Sequence, residues 1–224
     1  MAKMKSNTKK SFIFKNHAAQ TVFAVLSLLL IPVYTLIFGT KENPWEYTLS
    51  NIGNIFDHRL SFIIWGIITG MAILYYTIYI FERMDFMSRN ARRYMVASQV
   101  FLVLTVLTPA LKIAFPFWHF IHVIFSGLFA LFLVIALLLF IQFLAKNNQR
   151  LSKRVLVLLM SCVGISILAL FFMGLNGIVE ILFFVGIFIF LTILTFILNK
   201  FRKSKENTEQ QKAIINAVKK HSGQ

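Results

Sequence analysis

Charge and cysteine are both scarce in this sequence, and each shortage excludes a class of protein. Only 14% of the 224 residues are charged and 58% are hydrophobic, whereas soluble globular domains carry about 25% charged residues. A soluble domain is therefore excluded. The single cysteine, Cys162, cannot form an internal disulfide and is too little for a zinc–thiolate site, so we expect a small buried hydrophobic side chain.

Long apolar runs make up most of what is present. Each run is about 20 residues long, enough to cross a bilayer core of about 30 Å. The predicted fold is therefore all-α: a polytopic membrane protein with a bundle of six transmembrane helices. These helices are predicted over 18–38, 61–81, 94–114, 119–144, 155–173 and 178–198. The transmembrane domain (18–198) includes a long polar loop (39–60) and lies between basic tails, 1–17 and 199–224.

Three local features predict further geometry. Gly66 and Gly70 form a GxxxG motif in the second helix, which lets a neighbouring helix approach closely. Pro109 should kink the third helix near its end, because proline removes one backbone hydrogen bond. The C-terminal tail either forms a short amphipathic helix around 213–218 or is simply solvated.

The distribution of basic residues predicts the orientation. The net charge is +15, with 23 Lys and Arg against 8 Asp and Glu. Twenty of the 23 fall in the two tails and in the second and fourth loops, whereas the first loop has Lys41 and Arg59 and the third has Lys112. Because Lys and Arg concentrate on the cytoplasmic side, both termini should be cytoplasmic in a multi-pass plasma-membrane protein.

This orientation gathers the unusual polar residues at the outer side. Glu180 is the only acid well inside an apolar run, and such side chains usually face the bundle interior or a water-filled cavity. Asn176 lies four residues before it, on the same helix face. His119 and His122 are three apart and also share a face. The candidate ligand-binding residues are Ser50, Asp57, His58, Arg59, Lys112, Trp118, Asn176 and Glu180.

One interpretation of this cluster is a metal site. His119 and His122 would bind zinc, and Asp57, His58 or Glu180 would complete the ligand set. An open coordination position would then activate water at the membrane surface, as in a hydrolase. No motif such as HExxH accompanies the pair, and the sequence assigns no catalytic residue.

Two other interpretations need no metal. In the first, the cluster is a polar pocket for a headgroup or small ligand, with Lys112 and Arg59 as anion contacts and Trp118 as a wall. In the second, the cluster is architectural, and Glu180 pairs with Lys112 or a histidine to hold the third, fourth and sixth helices together. The residues alone leave all three interpretations open.

Short motifs resemble a known family. The run Tyr47–Gly53 (YTLSNIG), shortly before Gly66, is similar to an S-x-x-G segment that follows helix one in a bacterial and archaeal membrane family. Phe115-Pro116 followed by a histidine is similar to that family's junction between helices three and four, and Gly177–Glu180 to its start of helix six. The family is catalogued as domain of unknown function 998.

That resemblance implies a six-helix fold and no established activity. By the same match, the positions of interest are Ser50, Gly53, His119 or His122, and Glu180. There is also a fainter similarity to intramembrane zinc hydrolases of the ceramidase and adiponectin-receptor type. Those proteins have seven helices and an HxxxH pair, whereas this chain predicts six helices and has HxxH.

The sequence thus predicts a bacterial integral membrane protein of the cell envelope. Its outward-facing polar pocket would bind a lipid headgroup, a small molecule or a membrane partner. The alternative is a metal-dependent intramembrane hydrolase or transferase that acts on a lipid-like substrate. Membrane lipids and another membrane protein are the expected partners, nucleic acid is not one, and zinc is the cofactor that the alternative function would need.

Overall fold

The structure, a computed structural model, describes the backbone of residues 17–222 and the side chains from Leu28 to Arg202, with a few beyond. In that part of the chain all regular secondary structure is helical, and there is no strand. The predicted N-terminal tail (1–17) lies outside the described residues except for His17. The helices are α1 (His17–Gly39), α2 (Leu49–Ile55), α3 (Arg59–Arg83), α4 (Arg89–Leu107), α5 (Pro116–Asn147), α6 (Gln149–Met173) and α7 (Gly177–Ser222).

Among the residues whose side chains the structure describes, four helices are long and apolar enough to cross a membrane. They are α3, α5, α6 and the first part of α7, Gly177–Arg202. Within the described residues α1 contributes the shorter apolar segment Leu28–Gly39, and α4 begins with the polar sequence RNARRY. The predicted all-helical fold is confirmed, and the four apolar helices indicate a membrane-embedded protein.

The predicted end of the third helix is wrong. Pro109 does not kink the third long helix, because α4 already ends at Leu107 and Thr108 has extended backbone. A proline disfavours helical backbone in the residue before it, so the helix stops instead of bending. Near the C-terminus of the chain, α7 includes the predicted sixth membrane helix and continues past Asn199 to Ser222. The side chains of the predicted amphipathic segment 213–218 lie outside those described.

The bundle has two distinct ends. The capped end consists of α2, the residues around it (40–58) and the connections 108–115 and 174–176; the basic end consists of the connection 84–88 and residue 148. At the capped end Trp65 of α3 donates its indole N–H to Thr35 of α1 (3.0 Å) and meets Phe184 of α7 edge-on. These contacts join α1, α3 and α7 in one core.

Helix α3 lies directly against α4. A Cβ added at Gly66 would overlap the side chain of Val106, and one at Gly70 would lie 2.9 Å from Oε1 of Gln99. The predicted close approach at the GxxxG motif is therefore confirmed, with α4 as the neighbour.

Helix α6 packs unevenly along its length. Near the basic end Leu151, Val155 and Leu159 are buried, and the Ser152 hydroxyl donates to the Ile141 carbonyl of α5 (2.9 Å). Toward the capped end most of its side chains are exposed. Helices α5 and α6 therefore pack at one end and separate toward the other, which leaves space between them.

Candidate functional site

The short helix α2 was not predicted, and it builds one wall of the site. Thr48 caps it, since its hydroxyl accepts the Asn51 N–H (3.1 Å). Gly53 lets it lie against α3, because a Cβ there would be 2.5 Å from the Cβ of Phe62. The preceding loop is bound to α7 by the Ile178 N–H, which donates to the Pro44 carbonyl (3.1 Å).

Glu180 connects α7 to the start of α2. Its Oε2 accepts the Leu49 N–H at 2.6 Å. Leu49 is the first residue of α2, where backbone N–H groups have no acceptor inside the helix. A carboxylate that accepts such an N–H makes a strong, charge-assisted hydrogen bond. The structure therefore corrects the architectural interpretation: Glu180 holds the backbone of α2, and its partner is neither Lys112 nor a histidine.

His122 connects α5 to the end of α4. Its Nδ1 lies 2.9 Å from the Thr105 carbonyl oxygen and 3.3 Å from that of Thr108. Both partners are acceptors, so Nδ1 carries the hydrogen, and Nε2 of the neutral ring is then an acceptor. No hydrogen bond joins Nε2 to any described residue. The His122 side chain is only 4% exposed, and it lines a cavity.

These residues surround a small polar cavity at the capped end. Its volume is about 220 Å³. It lies between α2, α5 and the start of α7, so four of the predicted site residues meet there. The lining consists of Thr48, Ser50, Asn51, His119, His122, Val123, Ser126, Leu175 and Glu180.

A larger apolar chamber adjoins the polar cavity. Its volume is about 410 Å³, within the range of about 300–1,000 Å³ typical of ligand sites. Both spaces are lined by Ser50, His122, Ser126 and Glu180. Beyond these residues the chamber wall is almost wholly hydrophobic, with Phe129 and Val134 on α5, Val163, Ile167 and Leu170 on α6, and Phe183 and Phe184 on α7.

The structure thus brings Ser50, His119, His122 and Glu180 together. Six other predicted site residues line neither cavity. Two of them have structural contacts. Arg59 donates to Asn54 Oδ1 and to the Leu107 carbonyl, both at 2.6 Å, and so connects α2, α3 and α4. Asn176 caps α7, since its Oδ1 accepts the Val179 N–H (3.1 Å).

The remaining four lie at the surface of the capped end. Asp57 is exposed and has a positive φ of 60°, and His58 precedes α3 without a side-chain capping bond. Lys112 is exposed. Trp118 is 50% exposed and meets Phe117 edge-on. None of these side chains, nor that of Arg59, lies where it could contact a ligand in the cavities as shaped here.

The residues predicted to bind zinc do not come together as a complete ligand set among the described residues. Among the described residues, no three His, Cys, Asp or Glu side chains form a group that could hold a metal ion. His119 and His122 both line the polar cavity. However, Nδ1 of His119 is buried without a hydrogen-bond partner, and Nδ1 of His122 is hydrogen-bonded to backbone carbonyls. At most the two histidines could offer a metal their Nε2 atoms.

Sequence reasoning missed two parts of the site. Ser126 lies one helical turn after His122, so its presence on the same face could have been inferred from the spacing. The apolar chamber could not, because its wall is built from Phe, Val, Leu and Ile that look like any core or lipid-facing residue.

Comparison with known proteins yields one match. A family model described as "Protein of unknown function (DUF998)" matches residues 22–197. No curated protein and no solved structure matches the chain. The match spans every residue of both cavities.

Proposed function

Starting from the fact that this chain belongs to the DUF998 family of proteins of unknown function, we propose that it is a bacterial plasma-membrane protein that binds a lipid headgroup or similar small molecule. The ligand occupies the polar cavity at the capped end. The observation that carries this proposal is the joining of a polar cavity and an apolar chamber through Ser50, His122 and Glu180. Amphipathic ligands need both environments.

The proposed topology has six transmembrane helices, α1 and α3–α7, with both termini in the cytoplasm. The Lys and Arg residues support it, since those between α3 and α4 and around the start of α6 lie at the basic end. The capped end then faces outward, and α2 lies at the outer surface. Helix α1 is apolar over its 23 residues, and α4 would cross despite its less apolar sequence because it packs against apolar neighbours.

Cysteine labelling in intact cells tests the orientation. In a Cys162→Ala background, Glu46→Cys at the capped end should react with a membrane-impermeant maleimide from outside. Arg150→Cys at the basic end should react only after permeabilisation. The reverse pattern would contradict the proposed topology.

Lipid analysis of the purified full-length protein tests the binding. We expect a defined membrane ligand to remain bound through detergent extraction and to be lost from the Glu180→Gln and His122→Ala variants. Asp57→Asn, which changes a carboxylate outside both cavities, is the matched control and should retain the ligand. Equal ligand content in all four proteins would contradict binding at this site.

A metal-dependent hydrolase is the alternative, and the arrangement of its ligands gives it less support. His119 and His122 share a cavity, but no third ligand completes a site among the described residues. Metal analysis of purified protein distinguishes the two functions. Stoichiometric zinc that disappears in both His119→Ala and His122→Ala would favour the hydrolase.

A further inference from the structure

The apolar chamber is not closed on the side between α5 and α6. Leu131 of α5 and Ile167 and Leu170 of α6 line it, yet they are 52%, 59% and 44% exposed. On the other sides the wall consists of buried residues such as Phe62, Trp65 and Phe129. The chamber therefore opens sideways, toward the space that lipid would occupy around an embedded bundle.

The chamber has the length of one leaflet. From His122 to Val134, both of which line it, α5 rises about 18 Å at 1.5 Å per residue. Half of a bilayer hydrocarbon core is about 15 Å. A hydrocarbon chain that enters between α5 and α6 could thus extend along α5 while its polar end reaches the capped end.

Three side chains at the polar end offer unused hydrogen-bond acceptors. His122 presents Nε2, because its Nδ1–H is directed at two backbone carbonyls. Glu180 has a second carboxylate oxygen beyond the one that accepts from Leu49. The Ser126 hydroxyl already donates to the Val123 carbonyl (2.9 Å), which leaves its lone pairs.

Positive side chains are absent from this lining. Neither Arg nor Lys contributes to the walls of the two cavities. Arg59, the nearest candidate from the sequence, is already bonded to Asn54 and Leu107. An anionic headgroup would touch no lysine or arginine and would lie beside Glu180, which is unfavourable at low dielectric.

We propose that the ligand is a membrane amphiphile that inserts one hydrocarbon chain sideways between α5 and α6 and presents a hydrogen-bond-donating head, a hydroxyl or an ammonium, to His122 and Glu180. This inference rests on the proposed function and narrows it. It replaces the anion-binding pocket expected from Lys112 and Arg59 with a pocket that has free acceptors on His122 and Glu180 and no lysine or arginine in its wall. Burial of the hydrocarbon chain would contribute about 0.8 kcal/mol of binding free energy per methylene. The polar head would determine which lipid binds.

Photoreactive amphiphiles test the head chemistry. Three probes share one long alkyl chain with a diazirine and differ in the head: primary alcohol, primary ammonium or carboxylate. Each is added to the purified full-length protein in nanodiscs. We expect the alcohol or the ammonium to label the α5–α6 walls at least about tenfold more than the carboxylate, as one charge-assisted hydrogen bond implies. Equal or stronger labelling by the carboxylate would overturn the proposal.

Substitutions that fill the chamber test whether the hydrocarbon chain of the ligand lies there. Ala130→Trp, or Val163→Phe if the first variant does not fold, should lower labelling by the preferred probe about tenfold or more. Ile165→Phe, on α6 but outside the lining and 56% exposed, is the matched control and should label as the native protein does. Labelling that persists in folded, filled variants would overturn the chamber as the binding site.

The outcomes separate the two proposals. If filled variants retain the native ligand while Glu180→Gln loses it, the chamber inference fails and the polar pocket stands. If neither change affects ligand content, both fail. If Ala130→Trp alters the oligomeric state without reducing labelling, a second copy of the chain covers the opening, and the chamber inference is again overturned.

Discussion

Two sides of α5 differ in how they meet their neighbours toward the capped end. On the α4 side, His122 bonds to the last turn of α4, and α4 in turn lies against Gly66 and Gly70 of α3. On the α6 side, an added Cβ at Gly127 or at Gly164 of α6 would meet nothing within 4 Å. We call these the closed side and the open side. The closed side is tightly packed, and the open side leaves unfilled volume.

The largest effect that this comparison predicts comes from overfilling the closed side. Gly66→Leu should destabilise the protein by about 3 kcal/mol or more, since even a Cβ overlaps Val106. Gly127→Leu adds the same atoms on the open side and should cost little, because helix propensity favours leucine over glycine by up to about 1 kcal/mol. Unfolding in detergent, followed by tryptophan fluorescence, measures both. Similar stabilities of the two variants would contradict the distinction.

Removing the Glu180 carboxylate should have the next largest effect. Glu180→Ala leaves the Leu49 N–H without its acceptor, which costs about 1–3 kcal/mol for a buried donor. Hydrogen exchange should show lost protection at Leu49 and Ile52 with little change at the basic end. Glu46→Ala is the control. It removes an exposed carboxylate in the loop before α2 that accepts a hydrogen bond from Asn43, and it should leave α2 protected from exchange. Unchanged exchange in Glu180→Ala would show that α2 is held by other contacts.

The imidazole of His122 should matter more to stability than that of His119. His122→Ala removes a buried bond between α5 and α4, worth about 1 kcal/mol, and also leaves a small void. His119 has no hydrogen bond through Nδ1, so His119→Ala should change the free energy of unfolding by less than about 0.5 kcal/mol. The two variants can be compared in the same detergent. A larger loss in His119→Ala would contradict the assignment.

The smallest effect is expected near the basic end, where α5 and α6 come into contact. Ser152→Ala removes the hydroxyl that bonds α6 to the Ile141 carbonyl near the basic end, at a cost of about 0.5–1.5 kcal/mol. Ser126→Ala removes a hydroxyl that bonds only within α5 and should be close to neutral. If the bond to Ile141 holds the two helices together, Ser152→Ala should also widen the chamber and raise labelling by bulky probes. Equal stability of the two serine variants would show that Ser152 contributes nothing there.

Much of the fold was predictable because apolar length and residue type carry it. The all-helical fold with apolar helices of membrane length is confirmed, as are the family resemblance and the GxxxG contact. Glu180 was selected because an acid inside an apolar run is costly, and His122 because it shares a helix face with His119; both line the cavities. The binding roles of these residues stay predictions.

Other features depended on contacts that the sequence does not reveal. Arg59 and Lys112 were chosen for their charge, but Arg59 bonds to a backbone carbonyl 48 residues away and Lys112 lies exposed. Helix α2 has only seven residues, and Glu180, 131 residues further along the chain, accepts the hydrogen bond of its first backbone N–H. A contact over such a separation follows from packing and not from local propensity.

The sequence by itself determined that this chain is a helical membrane protein with its basic residues concentrated at one end, because hydrophobic length and charge distribution act independently of tertiary contacts. Only the tertiary structure decided that His122 and Glu180 line the same two cavities and that no lysine or arginine lines them. It also decided that α6 separates from α5 to leave a chamber beside them. The reason is physical: a cavity is the space that packed side chains leave unfilled, and it depends on the angle between helices, which no single residue specifies.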